Sequence, residues 1–248
     1  MLVAGGTGSI GRAVVSQALA SGWRVVLHGR RAESIQACIA DLGSGDAGQR
    51  LHALALDISV SGAAEQLVAQ AGAWAGRLDA VIDCVSMGPA GARITGLFES
   101  TDPQAYVPWL ELSVAYLQRL FHAALPWLRR QGGTLIAFVS DAGRFAAARQ
   151  TILGAARAAT IGFVRNLAVE VARDAVRVHC VSPSFVADST SAARLATQNA
   201  ERMKKAAASA GLGLPTPQDI APIVVFLCGD GARRMTGQII SINGGMNA

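Results

Sequence analysis

Short apolar runs recur along the chain, separated by longer stretches in which apolar residues return every third or fourth position. The short runs, at 2–4, 24–27, 51–56, 80–85, 134–139, 176–181 and 238–242, are read as strands. The stretches at 10–20, 32–41, 62–73, 106–128, 153–172 and 218–228 carry the helical period. Turn-forming glycines punctuate the pattern, with Gly22 after the first helix and Gly132-Gly133 before the fifth strand. Regular alternation of strand and helix predicts an α/β fold: a doubly wound parallel sheet of about seven strands with helices on both faces. The segment 189–213 is rich in Ala, Ser and Thr, with helical stretches but few large apolar residues, so it reads as a lid or substrate loop over one sheet edge. No repeat or linker interrupts the pattern, and residues 1–248 are expected to form a single domain.

Composition narrows the class. Of 248 residues, 51% are hydrophobic and 16% charged, which excludes a disordered chain and suits one domain with a large core. The net charge of +5 is spread thinly, its densest clusters being the pairs Arg129-Arg130, Lys204-Lys205 and Arg233-Arg234. No basic run accompanies it, so nucleic acid is not an expected partner. Cys38, Cys84, Cys180 and Cys228 form no C-x-x-C pair, and His28, His52, His122 and His179 are dispersed. No metal site is expected, and the histidines read as structural. With no charged segment followed by an apolar one at the start, and no apolar run of membrane-spanning length, a cytoplasmic protein away from membranes is expected.

Chemistry concentrates first in the run A-G-G-T-G-S-I-G, Ala4 to Gly11, between a predicted strand and a predicted helix. Gly5, Gly8 and Gly11 let a turn tighten and let backbone approach a pyrophosphate, with Ser9 and Ile10 contributing amides at the helix start. This is the opening of a Rossmann dinucleotide site. The second strand ends in Gly29-Arg30-Arg31, where an acidic residue would favour NAD. Two arginines there favour NADP, through its 2′-phosphate, over NAD; the alternatives are a solvated strand end and no bound cofactor. After the third strand, Asp57-Ile58 is a candidate for the adenine edge, the rival reading of Asp57 being a helix cap.

These features, with S-D-A-G-R at Ser140, P-T-P-Q-D-I-A around Pro217, T-G-Q at Thr236 and I-N-G-G ending at Gly245, resemble the short-chain dehydrogenase/reductase family almost end to end. The resemblance implies a catalytic set of Asn, Ser, Tyr and Lys. The serine position falls on Ser140, the tyrosine on Leu153, the lysine on Arg157 and the asparagine on Ser113. The chain's tyrosines are Tyr106 and Tyr116 and its lysines Lys204 and Lys205, so no register contains Y-x-x-x-K. Leucine has no proton to give, and an arginine is a poor proton-transfer group. Arg157 is left as either a ribose or phosphate contact or a surface ion pair. The family's N-N-A-G appears as Asp83-Cys84-Val85-Ser86, and Ser184 and Asp188 replace residues expected near the nicotinamide. Tyr116 reads as a helix-packing aromatic rather than a pocket hydroxyl.

Ser140 thus stands as a remnant, and no working catalytic residue is expected. The resemblance further implies assembly through the paired helices 106–128 and 153–172, where Ala159 and Ile161 are expected on the contact face. Related proteins with S-D-A-G-R act on hydroxyacyl-CoA thioesters. The expected function is therefore an inactive subunit of a heteromeric NAD(P)-dependent alcohol or hydroxyacyl-CoA dehydrogenase, with an intact family member as partner in a hetero-oligomer of tetrameric size. Degradation of aromatic compounds, such as a 2-[hydroxy(phenyl)methyl]succinyl-CoA dehydrogenase step, is its expected setting. The alternatives are an atypical NADP-dependent ketoreductase with a proton donor other than tyrosine, and an NADP(H)-sensing binding protein.

Overall fold

The computed structural model describes residues 1–42, 49–85 and 93–247. Its strands are β1 (Leu2–Ala4), β2 (Val25–Gly29), β3 (Leu51–Ala55), β4 (Ala80–Asp83), β5 (Gly133–Phe138), β6 (Val176–Pro183) and β7 (Ile239–Ile242). Together they make one 7-stranded sheet in the order β3-β2-β1-β4-β5-β6-β7, parallel throughout. The helices are α1 (Ser9–Ala20), α2 (Ala32–Leu42), α3 (Ala63–Ala75), α4 (Tyr106–Leu110), α5 (Tyr116–Leu128), α6 (Thr151–Val171), α7 (Thr190–Gln198), α8 (Ala200–Ser209) and α9 (Pro217–Cys228).

The sheet is covered on both faces, which is why its strands read as unbroken apolar runs. Successive strand residues point to opposite sides. Leu2, Val26, Val81, Leu135 and Val178 pack on one side with Leu67 of α3, Leu120 of α5 and Val164 of α6. Their neighbours Val3, Val25, Ile82, Ile136 and Val181 pack on the other with Val14 of α1, Ile35 of α2 and Val224 of α9. Strand order reverses between β1 and β4, so the strands' carboxyl ends open a crevice there.

Two expectations change. The helix expected at 106–128 is broken by a π-helical turn, Glu111–Ala115. Such a turn widens the helix locally yet leaves the apolar period on either side intact, so the sequence pattern reads straight through it. The helical stretches expected in 189–213 are α7 and α8, capped by Ser189, which accepts from the Ala192 amide, and by Asn199, which accepts from the Arg202 amide. One helix, 151–174, is long and apolar enough by composition to cross a membrane. Scanning for unbroken apolar runs missed it because Arg157, Arg165 and Glu170 interrupt the run, while Ile161, Val164, Leu167 and Val171 of the same helix are buried in the core.

At the amino ends of the strands, arginines meet the carboxyl ends of helices. Arg24 donates to the carbonyl of Ala75, the last residue of α3, and Arg50 donates to the Leu19 carbonyl of α1 at 2.8 Å. Arg177 on β6 donates to the carbonyls of Leu227, Cys228, Gly229 and Ala232, where α9 ends. A cation there satisfies carbonyls that the helix leaves unpaired and opposes its dipole.

Candidate functional site

The glycine-rich turn follows β1 and leads into α1. Gly5 has φ +73°, and a Cβ on it would lie 3.0 Å from the Cys84 carbonyl carbon and the Val85 nitrogen. A Cβ on Gly11 would collide with the Gly5 oxygen. The turn is thus wedged between the end of β4 and the first turn of α1, with room for backbone alone. Gly8 caps α1 and has no side chain to satisfy the first-turn amides of Ser9, Ile10 and Gly11. Those amides make an anion seat. Ile10 is also half-buried in the core, and the Ser9 hydroxyl is engaged by the Thr190 amide at 3.2 Å, so α7 rests against the turn.

Because β1, β2 and β3 are adjacent, Arg30, Arg31, Asp57 and Ile58 fall at the same edge as the glycines. Arg30 and Arg31 are exposed. Asp57 accepts from the Ser59 amide at 3.0 Å and the Ser59 hydroxyl at 2.7 Å, and these bonds, with Arg30 adding, hold its carboxyl below the usual range. It caps no helix, since α3 is capped by Gly62. Ile58 packs on the core with part of its side chain.

The other half of the crevice is organised differently. Ser140 lies two residues past β5, and its hydroxyl accepts from the Ala142 amide at 3.4 Å, opening a short turn, Asp141–Gly143. Asp141 is buried and receives Ser182 at 2.9 Å, Asn243 at 2.6 Å and Asn247 at 3.2 Å. The S-D-A-G and I-N-G-G motifs are therefore clamped together through one carboxylate. A Cβ on Gly143 would come within 2.6 Å of the Arg157 Cβ, so this turn lies directly on α6.

Leu153 packs in a small apolar cluster with Ile94, Trp109 and Ala156. Arg157 is 6% exposed, which overturns its reading as a surface ion pair. Its guanidinium carbon lies 5.8 Å from the centre of the Trp109 ring, and it faces Asp83, itself buried at the end of β4. Burial pushes the Asp83 carboxyl up to about 7, against the Val85 amide bond and the Arg157 charge. Burial likewise lowers the Arg157 pKa, with Asp83 opposing.

Tyr116 is 1% exposed and packs in the core, as a helix-packing aromatic does. Among the described residues its hydroxyl and that of Ser113, on the π turn, have no partner. Burial raises the Tyr116 pKa, and the Asp83 charge adds to the effect. Ser184 points its hydroxyl at the Met246 sulfur, and Asp188 adopts φ +53°. Ser86 lies outside the described residues.

The crevice thus gathers the glycine turn, Arg30, Arg31 and Asp57 on one side of the switch point, and Ser140, Ser113, Leu153 and Arg157 on the other. Sequence reasoning missed Trp109 and did not single out Asp83, although Asp83 stood in the aligned motif. It also missed Asp141 as the hub of the C-terminal clamp.

Comparison with known proteins agrees with this architecture. A family model described as enoyl-(acyl carrier protein) reductase matches residues 4–247. The chain is 31% identical to a tropinone reductase homolog of Arabidopsis thaliana over 98% of its length and 90% of the relative's. It is 30% identical to (2S)-[(R)-hydroxy(phenyl)methyl]succinyl-CoA dehydrogenase subunit BbsC of Thauera aromatica, covering 100% of this chain and 94% of that one. A short-chain type dehydrogenase/reductase from Mycobacterium ulcerans superposes with a TM-score of 0.90 at 24% identity, over 99% of this chain and 88% of that one. With sheet order, glycine turn and C-terminal motifs all in place along its length, the chain belongs to the short-chain dehydrogenase/reductase family.

Proposed function

We propose that this chain is a non-catalytic subunit of a cytoplasmic, heteromeric NADP-dependent dehydrogenase acting on a hydroxyacyl-CoA thioester, where it supports an intact family member. One observation carries the reading: at the position of the family's proton donor stands Leu153, packed among Ile94, Trp109 and Ala156. Neither tyrosine replaces it. Tyr106 is bonded to the Thr101 hydroxyl at 2.5 Å, and Tyr116 is sealed in the core. General acid/base catalysis is worth ~10²–10⁴-fold, and neither tyrosine is placed to take that part. The similarity to BbsC, which is itself named as a subunit of a CoA-ester dehydrogenase, supports the setting.

The residues at the glycine turn fit a dinucleotide: a Cβ at Gly5 or Gly11 would strike neighbouring backbone, so the turn stays tight, and the first-turn amides of α1 have no side-chain cap. Bound NADP would supply or accept a hydride. The α1 amides would hold the pyrophosphate, and Arg30 and Arg31 the 2′-phosphate. Calorimetry should therefore show NADP bound more tightly than NAD, with Arg30→Ala weakening it tenfold or more, as loss of a charge-assisted bond of ~1.5–3 kcal/mol requires. Tighter NAD binding, or NADP binding indifferent to Arg30→Ala, counts against this assignment.

We assign the partner face to α5 and α6, and an open cavity of about 470 Å³ lined by Gln118, Arg119, His122, Phe163 and Leu167 supports it. Ala159 and Val169 are exposed on α6, whereas Ile161 is buried in the core, contrary to its expected place on the contact face. Purified alone, the chain should show no NAD(P)-linked oxidoreduction of hydroxyacyl-CoA substrates. Co-expressed with a family member carrying Y-x-x-x-K, it should run as a hetero-oligomer of tetrameric size that Ala159→Asp disrupts. Turnover by the isolated chain at ~1–10³ s⁻¹ would defeat the proposal in favour of an atypical reductase. A homo-oligomer alone in native mass spectrometry, beside a fully active partner, would defeat it too.

A further inference from the structure

We infer that His28 is the positioning residue of the dinucleotide cradle, holding the glycine-rich turn in its binding shape through a single imidazole tautomer. The inference rests on the nucleotide reading above and adds a residue to it. His28 sits on β2, two residues before Arg30, and is 3% exposed. Its Nδ1 accepts from the Gly5 amide at 3.1 Å, and its backbone oxygen accepts from the Gly6 amide at 2.8 Å. On the far side of the ring, Nε2 stands 3.0 Å from the Leu56 carbonyl, just past β3.

These partners fix the proton. A carbonyl only accepts, so Nε2 carries the hydrogen, and an amide N–H only donates, so Nδ1 is bare. Gly5 is then trapped between His28 and the backbone of Cys84 and Val85. Any movement of Gly5 is passed to Gly11, which presses on it, and so to the amides of α1. A protonated ring presents two donors, and Nδ1–H would oppose the Gly5 N–H.

The surroundings keep the ring neutral. Burial lowers its pKa from the ordinary 6.5, while the Leu56 bond and the charge of Asp57, at the end of β3, resist. Arg30 lies beside Asp57, and Cys38 of α2 approaches the Gly6 carbonyl. The cradle is therefore expected to hold across neutral pH and to loosen only in acid.

Long-range ¹H–¹⁵N spectra of histidine-labelled protein, amide exchange at Gly5 and NADP calorimetry, applied to the parent, His28→Phe and His28→Asn, test this. At pH of about 7.5 the parent should show a bare Nδ1 and a protonated Nε2. His28→Phe should unprotect the Gly5 amide and weaken NADP roughly tenfold. His28→Asn, whose side-chain oxygen takes the place of Nδ1, should recover most of that loss and, unlike the parent, should keep the Gly5 amide protected as pH falls. A protonated Nδ1 at neutral pH, or unchanged Gly5 protection in folded His28→Phe, overturns the inference. Should the parent bind no NADP, the nucleotide reading fails by itself, while the ring nitrogens and Gly5 exchange still decide the role of His28.

Discussion

Between pH 4 and pH 8, the stability difference between an Asp83→Asn variant and the parent should shift in favour of the variant by on the order of 4 kcal/mol. The carboxyl of Asp83 is buried, and its pKa rises from 3.8 to about 7 in the folded chain. In that window the folded state holds a proton that the unfolded state has released. The stabilisation is complete below 3.8 and lost as pH rises through about 7. Asparagine titrates nowhere, so the variant loses nothing over the same range. His28 and His179, whose pKa values burial lowers, act in the opposite direction, but they are common to both proteins and cancel in the difference. Urea denaturation at a series of pH values measures it. A difference that stays flat with pH would mean that the carboxyl is solvated in the folded chain.

Replacing Arg157 with leucine should have a comparably large effect, of opposite character. At pH 8 the ionised Asp83 would lose the one cation that faces it, and breaking a buried charge arrangement from one side costs ~3–5 kcal/mol. Loss of the guanidinium from the Trp109 ring adds ~0.5–2 kcal/mol. At pH 5, where Asp83 is protonated, the first cost should largely vanish. The same relief should appear at pH 8 in an Asp83→Asn background, because two residues that act on each other are not additive. An equal cost for Arg157→Leu in all three settings would show that Arg157 matters only for its volume.

The sheet and its covering helices were legible in the sequence because both depend on local periodicity. Runs such as Val25 to Leu27 and Leu135 to Phe138 announce doubly covered strands without help from elsewhere in the chain. The glycine turn was equally legible, since its residues are contiguous and each is required by its own backbone. Arg157 was not. An arginine on an apolar helix reads as a solvated side chain, and its burial here depends on Trp109 of α4 and Asp83 of β4, both remote in sequence. The hub at Asp141 was hidden for the same reason: Ser182, Asn243 and Asn247 converge on it only once β5, β6 and the C-terminal segment are side by side. The π turn escaped because it changes the count of residues in a turn, not their polarity.

The arginines that close the carboxyl ends of α1, α3 and α9 also determine which chemistry can reach this protein's charge. A guanidinium keeps its proton at any pH a protein survives, so these helix ends stay capped in alkali, where an ammonium would let go. It is also inert to amine-directed acylation. The ε-amines of this chain are confined to Lys204 and Lys205, adjacent on α8. Acetylation or an amine-reactive dye would therefore leave the helix caps untouched and mark, among the side chains, only α8.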